Sequence, residues 1–290
     1  MSQLKSTIDH YFGVDALDWF DRSYITDWIV VGILWFLTGA VKASPVFERE
    51  FDLEDLTISH PQKEDQVSSF FNNTTALFGP LIIAIIIGFF QRSLLIIHHG
   101  AIGICATRGL AELITEVLKH SVGRLRPDFL SRCQWDKVIQ KCTGLDTTMA
   151  NGRKSFPSGH SSTAFSGMFF LSLLIAGQTA AWCFNIPKAP RCFKSSRMGV
   201  FVLTILPLFW ATHVAVSRLQ DYRHHTEDVI AGSLLGVVCS LLCYLIFWPN
   251  PFLASSFHPE AFGQPRLLYR ETDYVRSRAT DLDLEGVVEH

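Results

Sequence analysis

Six stretches of this chain, near residues 25–43, 75–90, 93–118, 161–182, 198–217 and 228–248, carry apolar side chains almost without interruption. Each, with its flanks, is long enough to cross a hydrocarbon core of about 30 Å as a helix. Inside lipid only helices and closed barrels satisfy every backbone N–H and C=O, and these runs lack the alternation of barrel strands. The pattern predicts an all-α integral membrane protein, a bundle of six transmembrane helices. Ahead of the first run, Ile8, Tyr11, Phe12 and Leu17 are spaced among polar residues, as in a helix lying at a membrane interface. From about residue 250 the chain turns polar, with Pro251, Pro259 and Pro265 and then mixed charges. The expected organisation is a six-span domain with its interfacial segment over 1–249 and a flexible polar tail over 250–290.

Composition agrees with a bilayer: 48% of residues are hydrophobic and only 18% charged. A formal net charge of -2 argues against a basic nucleic-acid binder, so any anion chemistry must come from local clusters. No basic leader with a small-residue cleavage site precedes the first run, which is expected to act as an uncleaved anchor. Seven cysteines without a Cys-x-x-Cys pair suit neither a disulfide scaffold nor a zinc site. Cys239 and Cys243 read as small buried apolar residues. Cys133 and Cys142, in a polar loop, are candidates for a bridge.

Basic residues flanking the runs set the orientation. Lys188, Arg191, Lys194 and Arg197 lie between runs four and five without an acid, Arg92 in the tight second loop, and Arg266, Arg270, Arg276 and Arg278 in the tail. Six spans put all of these on one side, predicted to be cytosolic together with both termini. The opposite side carries the acidic loop 44–72, and also the basic loop 119–160, which calls for a purpose other than topology.

Three short motifs at run ends supply one, all on that non-cytosolic face. They are Lys119 to Pro127 after run three, Phe156-Pro157-Ser158-Gly159-His160 opening run four, and Ser217-Arg218 with His224 and Asp228 between runs five and six. These residue types suit phosphoryl transfer, whose transition state spreads negative charge over equatorial oxygens. Lys119, Arg126 and Arg218 are three cations, and a guanidinium fork matches phosphate oxygens. Ser158 is an N-cap candidate and Gly159 lets backbone N–H groups approach an anion at a helix start. His224 and Asp228, four apart, share a helix face, so the carboxylate can hold one ring proton while the other nitrogen attacks phosphorus. His225 has a comparable spacing. His160 stands where it can protonate a departing oxygen. The set needs neither a metal nor another cofactor. Singly, each motif also fits an ordinary helix start or solvated face; their complementary roles on one face favour chemistry.

Lys-x6-Arg-Pro, then Pro-Ser-Gly-His, then Ser-Arg-x5-His-x3-Asp resembles the type 2 phosphatidic acid phosphatase superfamily, over about residues 25–250. Lys119, Arg126, Pro127, Pro157, Ser158, Gly159, His160, Ser217, Arg218, His224 and Asp228 match its pattern without departure. The resemblance implies a six-span helical enzyme acting on membrane lipid phosphates. It selects His224 over His225 as the nucleophile forming a phosphohistidine, with His160 as general acid and Asp228 orienting the nucleophile. Phe47-Glu48-Arg49, Asp55 to Pro61, Gly123 to Cys133 and Gln220 to His225 look like the diacylglycerol pyrophosphate phosphatase branch, which acts on that lipid and on phosphatidate without magnesium. The alternatives are phosphatases for sphingoid, polyprenyl or sugar phosphates, and a lipid-binding or transport protein of the same fold.

Several polar residues have plainer readings. His120 and Arg124 are expected at the rim of the site. His98, His99 and His213 are expected to pack or pair within helices, and Arg108, Glu112 and Glu116 to pair with one another at i, i+4 spacing. Asn72 and Asn73 each open an Asn-x-Thr sequon close to run two. Asp281-Leu282-Asp283 lacks the context of a metal-binding Asp-x-Asp motif and reads as a solvated acidic run.

Overall fold

The computed structural model describes residues 10–14, 16–185, 196–258 and 262–269. Six long helices carry the fold: α1 (Ser23–Lys42), α2 (Ser69–Phe90), α3 (Leu94–Val122), α6 (Gly159–Thr179), α7 (Arg197–Gln220) and α8 (Thr226–Phe247). All six are long and apolar enough to cross a membrane. Between α3 and α6 lie the short helices α4 (Phe129–Cys133) and α5 (Asp146–Gly152) and a two-stranded antiparallel hairpin, β1 (Trp135–Asp136) and β2 (Lys141–Cys142). Side-chain hydroxyls open four of the long helices: Ser68, Ser93, Ser158 and Ser196 each accept from a first-turn N–H.

Helix α6 is the centre of the bundle, packed by α2, α3, α7 and α8, while α1 leans on α3. Its Gly, Ala, Ser and Thr content lets neighbours approach closely, the usual device for joining helices in lipid. Gly232 and Gly236 of α8 sit against the α6 chain at Ser158 and Ser162, and Ser240 Oγ donates to Ser166 O at 2.6 Å. The opposite stripe of α8, Ile230, Leu234, Val238, Leu242 and Ile246, is exposed at i, i+4 spacing, an apolar face suited to acyl chains.

The ends of α3, α6, α7 and α8 that carry the three motifs converge on one face. There the loop 44–68 and the segment 123–158 form a cap: Phe47 N donates to His120 O at 2.8 Å and His60 N to Pro127 O at 2.9 Å. Ile58, Leu125, Phe129 and Cys133 make its small core. Cys133 and Cys142 form a disulfide beside the hairpin.

At the other face the chain after α8 departs from the expected flexible tail. Residues 262–269 are a strap across helix ends. Arg266 N donates to Phe247 O at 2.9 Å, Gln178 Nε2 to Gly263 O at 2.6 Å, and Tyr269 Oη to Asp27 Oδ2 at 2.9 Å. Backbone bonds and a Tyr–Asp pair hold it, features that polarity and proline content do not reveal. Ile8, Pro259, Asp281, Asp283, Lys188, Arg191, Lys194, Arg270, Arg276 and Arg278 lie outside the described residues.

Candidate active site

His224 ends the turn between α7 and α8 and is 4% exposed. Its Nδ1 donates to the carbonyl of Ser155 at 2.7 Å, with Asp228 Oδ2 standing 3.8 Å away. The direct partner of the ring is therefore a backbone oxygen two residues before Pro157. Asp228, in the first turn of α8, ties the surroundings together. It accepts from Ser155 Oγ at 2.6 Å, His225 N at 3.0 Å and Arg124 Nη1 at 2.7 Å, and the Ser158 N–H donates to its carbonyl at 2.9 Å. This fixes the Nδ1–H tautomer and leaves Nε2 with its lone pair. Burial pushes the His224 imidazole down to about 4, Asp228 pulling the other way, so the ring is neutral at ordinary pH. His225 is engaged at both nitrogens, with Asp228 Oδ2 at 3.3 Å and Thr57 O at 3.3 Å.

His224 lines a cavity of about 220 Å³ together with His160, Lys119, Arg126, Gly159 and Asn72. Lys119, in the last turn of α3, donates to Glu116 Oε1 at 2.6 Å. Its ammonium lies against the start of α6: a Cβ at position 159 would stand 2.7 Å from Nζ, so glycine is what admits the cation. Arg126 Nε is buried with no partner among the described residues. Burial and the nearby Arg132 pull its guanidinium down to about 10, Asp128 opposing, and it remains a cation at neutral pH. An unpartnered buried guanidinium N–H is a strong demand for an anion. His160 Nε2 meets Ser69 Oγ at 3.4 Å, and its carbonyl accepts from Asn72 Nδ2 at 3.0 Å. The two histidines expected to act as nucleophile and acid, and two of the three expected cations, thus line one cavity.

Two expected phosphate ligands sit elsewhere. Ser158 is the buried N-cap of α6, accepting from Ser161 N at 3.4 Å and Ser161 Oγ at 3.0 Å. Arg218 is buried outside the cavity lining, bonded to Asp65, Asp221 and Ser217. At the expected rim, Arg124 is drawn to Asp228 and Glu227, and His120 is held between Glu116 O and Lys154 Nζ. In the membrane, Arg108 pairs with Glu112 at 3.1 Å and also donates to Asn73 and Ser166, whereas Glu116 turns to Lys119. His98, His99 and His213 meet aromatic rings. Asn72 is 1% exposed, and Asn73 Nδ2 donates to Ser69 O at 2.8 Å, so neither sequon presents a free amide nitrogen. Among the described residues no group of three or more His, Cys, Asp and Glu is placed to hold a metal. The sequence did not mark Ser155 or Asp65 and marked Asn72 only as a sequon; each bonds near the site across a long chain separation, which no local pattern encodes.

The family model for the PAP2 superfamily matches residues 100–252. Lipid phosphate phosphatase 2 of Arabidopsis thaliana is 30% identical over 252 residues, 84% of this chain and 83% of that protein. Probable diacylglycerol pyrophosphate phosphatase 1 of Schizosaccharomyces pombe is 34% identical over 215 residues, 70% of this chain and 73% of its own. Diacylglycerol pyrophosphate phosphatase 1 of Saccharomyces cerevisiae is 31% identical over 242 residues, 78% and 80% respectively. No solved structure matches the chain.

Proposed function

This chain belongs to the PAP2 superfamily, a multi-pass membrane lipid phosphatase, and we propose that it hydrolyses diacylglycerol pyrophosphate and phosphatidate through a phosphohistidine on His224. The observation that carries this reading is the 2.7 Å bond from His224 Nδ1 to Ser155 O, which leaves Nε2 as the free nucleophile of a cavity shared with Lys119, Arg126 and His160.

In the first step Nε2 of His224 attacks phosphorus, the bond from phosphorus to the lipid oxygen breaks, and His160 gives that oxygen its proton. In the second, water attacks the phosphohistidine, His160 takes the water's proton, and the phosphorus–nitrogen bond breaks to release phosphate. Asp228 acts in this scheme as a positioning residue, holding Ser155 and the start of α8. Lys119, Arg126 and the Gly159 amide hold the phosphoryl oxygens, with Ser158 shaping the helix start and Arg218 joining when phosphate is bound. The chemistry as written needs no metal. A site at span ends meets a headgroup whose acyl chains stay in the bilayer, in an endomembrane or the plasma membrane. The motif face is assigned to the lumen or exterior and both termini to the cytosol.

The test is phosphate release by purified protein in detergent, with EDTA present, beside His224→Ala. Phosphatidate, diacylglycerol pyrophosphate, sphingosine phosphate and glucose phosphate are offered in parallel. The expected outcome is release from the first two that survives chelation and falls at least about 10³-fold in the variant. Release confined to the other two substrates would move the specificity, and full activity in His224→Ala would end the phosphohistidine scheme.

A further inference from the structure

Arg218 is fully buried, and most of its donors are taken. Nε and Nη2 reach Ser217 Oγ at 3.1 and 3.0 Å, Nη2 also reaches Asp221 Oδ2 at 2.8 Å, and Nη1 reaches Asp65 Oδ1 at 3.0 Å. Of these partners Ser217 and Asp221 are fixed. Asp221 is buried and accepts from Gln66 N at 3.0 Å and Gln66 Nε2 at 2.7 Å. Asp65 differs, because its side chain is 37% exposed on the loop before α2 and has a second cation. The same Oδ1 accepts from Arg223 Nε at 3.0 Å, and Arg223 is anchored by Asp128 Oδ2 at 3.2 Å and the Lys63 carbonyl at 2.7 Å.

We propose that Asp65 is a charge filter, occupying the place on Arg218 that a phosphoryl group takes and yielding it only to a doubly charged phosphate. This rests on the reading of Arg218 as a phosphate ligand. Asp65 can leave without stranding a charge, since Arg223 keeps hold of it. The incoming group must then offer Arg218 more than a carboxylate does. The terminal phosphate of a monoester or a pyrophosphate, with up to two negative charges, does so. A phosphodiester headgroup, with one negative charge, does not. Most phospholipids around a membrane enzyme are such diesters, so selectivity requires an element that disfavours them as well as one that attracts the substrate. Burial alone would raise the Asp65 carboxyl, but Arg223 and Arg218 hold it below the usual carboxylate range, so the filter is charged at neutral pH.

Asp65→Asn keeps the shape and removes the charge. Inorganic phosphate should inhibit this variant about fivefold more tightly, a size suited to an ion pair partly open to water. Phosphatidylglycerol in mixed micelles should leave the wild type unaffected and become a competitive inhibitor of the variant. Arg223→Gln removes the rival cation and should act oppositely, raising the KM for phosphatidate and the Ki for phosphate about fivefold at unchanged kcat. A merely structural role for the loop would weaken binding in both variants. Unchanged or weaker phosphate inhibition in an active Asp65→Asn protein overturns the filter. If that variant does not fold, a fall or no change in KM and Ki for Arg223→Gln overturns it equally. Arg218→Gln separates the two levels: wild-type kinetics there would remove Arg218 as a ligand, and the filter with it. A damaged Arg218→Gln beside an unshifted Asp65→Asn would remove the filter alone.

Discussion

At His224 a single side chain carries both a chemical and a thermodynamic consequence of burial. The folded imidazole titrates at about 4, below its ordinary 6.5, because desolvation outweighs the pull of Asp228. As pH falls from 6.5 towards 4 the unfolded chain takes up a proton that the folded chain refuses, so stability is lost across that window. Replacing His224 by Gln removes the titration. The thermal midpoint of the wild type in detergent should therefore decline relative to His224→Gln as pH is lowered from 7 to 5, while the two run parallel above 7. A difference that stays constant with pH would show that His224 is not desolvated as described. At this scale the sequence was most legible where spacing encodes geometry. His224 precedes Asp228 by one helical turn, and the two do lie together, yet the ring proton goes to Ser155. No spacing rule points to a carbonyl 69 positions away in sequence. Asp65 was hidden for the same reason: in an acidic loop it reads as one charge among many, and its ion pairs with Arg218 and Arg223 exist only once α7 and the loop are folded together.

Among the helices, hydropathy located every span but not their ends or their neighbours. Helix α2 begins at Ser69, six residues before the apolar run near 75, because Ser68 caps it and the polar Ser69, Asn72 and Asn73 face a cavity rather than lipid. The place of α6 at the centre is visible only as an excess of small residues, which says that something packs closely without saying what. The structure supplies the partner, since Gly236 of α8 meets the α6 backbone with no room for a side chain. Gly236→Val should therefore overpack this joint at a cost of about 1–3 kcal/mol. It should also displace Ser158 and His160, which start the same helix. Leu242→Val, on the exposed stripe of α8, should change stability by no more than about 0.5 kcal/mol. Thermal unfolding and phosphate release, measured on both variants in one detergent, check the contrast. Equal losses would mean that α8 is not joined to α6 through its glycine face.

For the molecule as a whole the proposed orientation rests on two independent signals. Arg92, Arg197 and Arg266 lie on the face proposed to be cytosolic, where an excess of basic residues is expected. The other face bears the Cys133–Cys142 disulfide, a bond that persists in oxidising compartments. The basic residues of the motif face do not contradict this, because Lys119, Arg124, Arg132 and Arg218 are matched there by Glu116, Asp228, Asp128 and Asp65, charges gathered by the site and not left in a loop. Val138, at the tip of the hairpin, is 90% exposed, and Arg92 lies in the tight turn at the opposite end. Cysteines placed singly at these two positions should report the sides directly. In intact cells, or in sealed vesicles whose outer surface is the cytosolic one, a membrane-impermeant maleimide distinguishes them. With vesicles of that sense, Arg92→Cys should be labelled at once and Val138→Cys only after detergent. The reverse order would put the motif face in the cytosol. The disulfide would then stand in a reducing compartment, and the lipid phosphate would have to be drawn from the cytosolic leaflet.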